Sequence, residues 1–133
     1  MAQGGLSGGG ALREAPRVKT EVPRARRLYG LVELDQAGTV LYTRFEGDGA
    51  AALPERDCAG RNFYTEVVPF RNAGELRQKL EAFSKGSLPA LSMDFVCDYE
   101  DGPVAVRILL ARIRERAERD ETKSVLVHIR RPQ

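Results

Sequence analysis

Residues 91–110 read LSMDFVCDYEDGPVAVRILL. In the first half, Phe95, Cys97 and Tyr99 fall on one face and Ser92, Asp94 and Val96 on the other. A period of two is the signature of a strand whose faces meet different surroundings. Glu100-Asp101-Gly102-Pro103 is a turn, and beyond it Val104, Val106, Ile108 and Leu110 alternate against Ala105 and Arg107. The Arg- and Glu-rich continuation to about Ala117 also permits a helix. The β-branched start and the Asp-Gly turn favour a strand. An antiparallel hairpin is therefore the seed of the fold.

Downstream, Glu118–Glu121 is a charged turn and Ser124–Arg130 (SVLVHIR) is a last strand, so three hairpin-connected strands are expected side by side. Upstream lies the best helix. Asn72 is its expected N-cap, with Glu75 at capping-box spacing. Leu76, Leu80 and Phe83 form one apolar stripe, and Gly86 is the stop. Before it, residues 46–60 are irregular. Helical turns are expected at Ala50–Leu53 and Pro54–Ala59, the second ended by Gly60. Leu28–Leu34 and Thr39–Phe45 form a first hairpin around Asp35-Gln36-Ala37-Gly38, Gly38 supplying the positive φ. The order ββ, short helices, longer helix, βββ predicts an α+β domain: a five-stranded antiparallel sheet with short helices and one longer helix on one face. A pocket is expected between helix and sheet.

Composition bounds the function. The chain has 133 residues, one domain's worth, and its 42% apolar content suffices for a core. Five of the first ten residues are glycine, and Pro16 and Pro23 follow, so residues 1–24 read as a disordered leader and 25–133 as the domain. Residues 1–30 hold six basic and two acidic side chains, a net of +4, against +2 for the whole chain. The basic character thus belongs to the leader, which reads as a linker. The two cysteines, Cys58 and Cys97, form no CxxC or Cys/His cluster, so no metal site is expected and a reducing, cytoplasmic setting fits. No apolar run approaches a membrane span. Arg107, Arg112, Arg114, Arg116 and Arg119 are interleaved with Glu115, Glu118, Asp120 and Glu121, which argues against nucleic acid as a partner. No nucleophile–base arrangement, paired carboxylates, GxGxxG or P-loop is present, so no enzyme is expected.

Several segments, taken in order, resemble one family. Gly60-Arg61-Asn62-Phe63-Tyr64-Thr65-Glu66-Val67-Val68-Pro69 is similar to the G-K-N-F-F-x-x-V-x-P signature of the photoactive yellow protein family of PAS domains. Tyr42 with Glu46-Gly47-Asp48 resembles its Y-N-A-A-E-G-D, and Lys85-Gly86-Ser87-Leu88 its S-G-N-L. Phe95–Tyr99 and Pro103–Arg107 resemble Y-T-F-D-Y and P-T-K-V-K-V, and Ser124–Arg131 the final strand, so the likeness spans roughly residues 28–131. It implies a PAS fold and a sensor or signalling role.

The resemblance also implies a pocket built from Tyr42, Glu46, Ala50, Phe63, Val67, Phe70 and Cys97. In the family, the residue after the signature proline is a cysteine carrying a p-coumaroyl thioester; here it is Phe70. Phenylalanine has no nucleophile, so p-coumaric acid is excluded as a thioester at this position. Ala50 stands where the family has a threonine. Phe70 is expected to project into the pocket and fill it. Glu46, without a ligand, should face solvent or bind its proton more tightly. Tyr42 and Glu46 also admit a plain reading as a strand tyrosine and a polar turn.

His128 is the one histidine, on the strand face of Leu126 and Arg130. A haem ligand there is disfavoured, because the matching family position faces away from the pocket. No haem, flavin or other cofactor is predicted. Cys58 and Cys97 read as small buried hydrophobes. Two functions remain: a sensor binding a small ligand, and a ligand-free interaction domain. In the second, Leu109, Leu126, His128 and Arg130 on the outer sheet face meet a protein partner or a second copy.

Overall fold

A computed structural model of the chain describes residues 26–47, 49–114 and 122–132. The expected leader, residues 1–24, and the charged turn at 118–121 lie outside the described residues. Among the described residues there are five strands: β1 (Gly30–Asp35), β2 (Val40–Phe45), β3 (Ala90–Tyr99), β4 (Gly102–Arg114) and β5 (Thr122–Arg130). They form one sheet in the order β2-β1-β5-β4-β3, every neighbouring pair antiparallel. The three C-terminal strands are adjacent as expected, and β1 pairs with the last strand in the middle of the sheet. Helix α1 (Ala73–Lys85) is the one longer helix among the described residues. A 3-10 turn at Glu55–Asp57 and a π-helical turn at Phe63–Val67 complete the helical segment.

Alternation fixes which face is buried. Val32 and Leu34 of β1, Val125, Val127 and Ile129 of β5, Val106, Ile108 and Leu110 of β4, and Phe95, Cys97 and Tyr99 of β3 are all buried. They meet Leu76, Leu80 and Phe83 of α1 and Phe63, Val67, Val68 and Phe70 of the segment before it. Each such side chain contributes about 1.5–3 kcal/mol on leaving water. No interior disulfide or metal is needed to hold a sheet and helix layer of this size together.

Turn chemistry explains the first hairpin. Asp35 Oδ1 accepts the backbone N–H groups of Ala37 and Thr39, each at 2.9 Å. Gly38 N donates to Asp35 O at 3.0 Å. Gly38 sits at φ 89°, and a Cβ there would lie 2.7 Å from Cε2 of Tyr64. Conformation and space therefore both require glycine.

Two helical expectations are corrected. Ala50–Leu53 forms bends and no helix; instead Ala52 N donates to Val67 O at 2.9 Å, which ties the segment across to the π-helical turn. The reciprocal capping pattern is found at Asn62 and not at Asn72. Asn62 Oδ1 accepts from Tyr64 N and Thr65 N, while Glu66 accepts from Asn62 N at 3.1 Å. Asn72 is the N-cap of α1 by position, as expected, but its side chain makes no capping bond to the helix backbone. It accepts Asp98 N at 2.9 Å and donates to Val96 O and Glu75 Oε1 at 2.8 Å. The start of α1 is thereby fastened to the open edge of β3.

Candidate functional site: the inner core and the outer sheet face

Of the expected pocket residues, Phe63, Val67, Phe70 and Cys97 are buried in the common core, and Ala50 is half-buried beside it. The Phe70 ring is 4% exposed. It packs edge-on against Tyr99 at 5.6 Å between centroids and tilted against Phe95 at 6.2 Å. Such aromatic contacts favour a fixed packing arrangement beyond simple burial. Tyr99 in turn accepts the buried backbone N–H of Leu28 at 2.8 Å on its hydroxyl. The Arg27 guanidinium stacks 4.6 Å from the Tyr99 ring and pairs with Asp101 at 3.0 Å. Burial pushes the Tyr99 phenol up to about 12, and burial likewise pushes the Cys97 thiol up to about 12. Both groups are neutral at ordinary pH, so this region is an apolar core.

Tyr42 and Glu46 do not join it. Tyr42 is 47% exposed. Glu46 is exposed and paired with Arg131 at 3.0 Å. Register supplies the reason. Glu33 pairs with Tyr42 but the next residue, Leu34, pairs with Val40, so Leu41 is an extra residue in β2. A bulge of this kind reverses which face later side chains occupy. Tyr42 therefore lies opposite Glu33 on the outer face. The β2 side chains on the inner face are Thr43, opposite buried Val32, and Phe45, packed on the core. Their polar partner is Glu55, which the sequence did not single out. One of its carboxylate oxygens accepts both the Thr43 hydroxyl and Phe45 N, each at 3.0 Å. No periodicity or spacing marks this residue, because the contact joins an irregular segment to a strand edge.

Surface clefts of about 720, 220 and 770 Å³ are present, and none of the three is lined by an expected pocket residue. Among the described residues, no three His, Cys, Asp or Glu side chains come together as a metal site. No helix among them is long and apolar enough to cross a membrane.

The expected partner-surface residues do share one face, away from the helices. His128 lies between Leu31 of β1 and Leu109 of β4. In the next row Leu126 lies between Glu33 and Ala111, and at the end of β5 Arg130 pairs with Arg107. Leu109, Leu126, His128 and Arg130 are all half-buried. Arg107 binds Asp94 at 2.9 Å, which places a charged border beside the apolar rows. His128 on this face is remote in direction from the inner core.

Comparison with known proteins agrees with this architecture. No family model matches the chain. A photoactive yellow protein from Rhodothalassium salexigens is 30% identical over 86 residues, 63% of this chain and 67% of that protein. A photoactive yellow protein from Cereibacter sphaeroides is 32% identical over 90 residues, 66% of this chain and 72% of that protein. Among solved structures, the photoactive yellow protein domain from the sensor histidine kinase Ppr of Rhodospirillum centenum superposes with a TM-score of 0.52. That likeness, at 22% identity, covers 77% of this chain and 90% of the domain and speaks for the fold. By fold and by sequence, this chain is a PAS domain and belongs to the photoactive yellow protein family.

Proposed function

We propose that this chain is a non-catalytic PAS signalling module that works by protein interaction, with Phe70 occupying the space where a ligand would sit. The observation that carries the reading is the burial of the Phe70 ring between Phe95 and Tyr99. A small ligand between sheet and helices would have to displace that ring. The outward position of Tyr42 and the solvent-exposed ion pair of Glu46 take the expected phenolate-binding pair out of the interior. The absence of a thiol at residue 70 argues further against a p-coumarate photoreceptor. The outer face, with Leu31, Leu109, Leu126 and His128 in contiguous rows, supports contact with a protein partner or a second copy. Two buried free thiols suit a reducing compartment.

Native mass spectrometry with an absorption spectrum of the purified full chain tests this reading. The expected result is the bare polypeptide mass, 14.7 kDa or a multiple of it, with no visible band. A stoichiometric added mass, or absorption in the visible, would overturn it.

A further inference from the structure

We infer that β3 carries a second interaction surface, distinct from the outer sheet face: its N-terminal half is a pairing edge for the β3 strand of a second copy of this chain. β3 is an outermost strand, so among the described residues one side of its backbone has no strand neighbour. Which groups point there follows from two observed bonds. Asp98 N donates to Asn72, and Asp98 O accepts from Arg71 N, so both groups of Asp98 point away from β4. The β3–β4 register runs without a break from Ala90↔Ala111 to Tyr99↔Gly102. Alternation then sends the N–H and C=O of Val96, Asp94, Ser92 and Ala90 to the same open side. Asn72 takes Val96 O and Asp98 N, closing the C-terminal half. The backbone groups of Ser92 and Asp94 meet no partner among the described residues.

This open stretch complements itself. A two-fold axis at Ser92 sets Ser92 opposite its own copy and Asp94 opposite Ala90. The Ser92 pair supplies two N–H···O=C bonds, and each flanking Asp94–Ala90 pair supplies two more. The Asp94 carboxylates, already held by Arg107, do not face each other. The same axis brings Val96, 52% exposed, toward the segment of Leu88, 53% exposed, so that each covers the other. Helix α1 runs alongside, its Glu75 and Lys79 lining the cleft of about 720 Å³ with Asp94 and Val96. An unprotected edge with exposed apolar side chains is a template for strand addition. Here the mutual cover of Val96 and Leu88 in this register points to a second copy of the chain as the partner.

The test is sedimentation velocity on the full chain over a range of concentrations, with two variants. Wild type should move from 14.7 kDa toward twice that mass as concentration rises. Ser92→Pro removes only an outward-pointing N–H, a place where an edge strand tolerates proline. It should keep the fold by circular dichroism and weaken the dimer by at least about tenfold. Ser92→Cys should give a dimer-sized species with a short bifunctional thiol cross-linker, because directly opposed bonded residues have Cα atoms about 5.5 Å apart. Leu126→Asp on the outer face should leave this dimer unchanged. A wild type that stays monomeric throughout, or a Ser92→Cys chain that does not cross-link, overturns the proposal. A dimer lost in Leu126→Asp but intact in Ser92→Pro overturns it too, and assigns self-association to the outer face instead.

Discussion

Arg112 offers a direct way to weigh the joint between sheet and helix. Its guanidinium leaves β4 and spans the C-terminal end of α1. Nη2 donates to Phe83 O at 2.6 Å, Nη1 to Ser84 O at 2.9 Å and Nε to Leu88 O at 3.0 Å. The same group lies 4.8 Å from the centroid of the Phe83 ring. The last carbonyls of a helix lack partners within it, and a cation there also meets the negative end of the helix dipole. A hydrogen bond to a charged group contributes roughly 1.5–3 kcal/mol. The dipole and the ring contact each add roughly 0.5–1 kcal/mol. Three bonds from one cation are not independent, and water can reach part of the site, so full addition overstates the loss. Arg112→Met is therefore expected to destabilise the domain by about 2–4 kcal/mol. Arg112→Lys keeps the charge without the fork and should lose about 1–2 kcal/mol. Urea denaturation measures both, with the slope m unchanged if only stability has moved. A loss under about 0.5 kcal/mol in Arg112→Met would refute the reasoning. Equal stability of wild type and Arg112→Lys would show that the planar fork contributes nothing.

Other consequences follow from the same network of contacts. Asn72→Ala leaves Val96 O and Asp98 N without their side-chain partner and should cost about 1–2 kcal/mol, with faster amide exchange at Asp98 as the residue-level readout. Tyr99→Phe deprives the buried Leu28 N–H of its acceptor; a loss of about 1–3 kcal/mol and faster exchange of that amide are expected. Burial holds the Tyr64 and Tyr99 phenols neutral up to about pH 12, whereas an unfolded tyrosine ionises near 10. Since the folded state keeps its protons longer, this stability is complete below about pH 10 and is lost as pH rises toward 12. Melting curves across that window, with phenolate absorbance as the second signal, check it.

The sheet was readable from sequence because its strands alternate over long runs. Phe95, Cys97 and Tyr99 against Ser92, Asp94 and Val96 predicted the buried and exposed faces of β3, and the Asp35–Gly38 turn placed the first hairpin. The stripe of Leu76, Leu80 and Phe83 did the same for α1. Three-dimensional register was less readable. Tyr42 was expected in the pocket, but one extra residue in β2 turns it outward, and a bulge has no signature in a strand of six residues. Asn72 is the N-cap its spacing predicts, yet its side chain also bonds an open strand edge 24–26 residues away in sequence, which no local pattern shows. Glu55 and Arg112 act across irregular or distant segments, and no local pattern marks either. Phe70 stands between these cases. Its place after Pro69 pointed to the interior, whereas its contacts with Phe95 and Tyr99 required the fold.

The central claim is that the Phe70 side chain itself fills the inner site. Calorimetric titration of wild type and Phe70→Ala with a small apolar aromatic, such as indole, tests it most directly. Removing the ring should cost about 3–5 kcal/mol and leave a cavity that takes up the aromatic. Binding to Phe70→Ala with none to wild type is the predicted result. Saturable binding to wild type, or a Phe70→Ala chain as stable as its parent that binds nothing, would contradict the account.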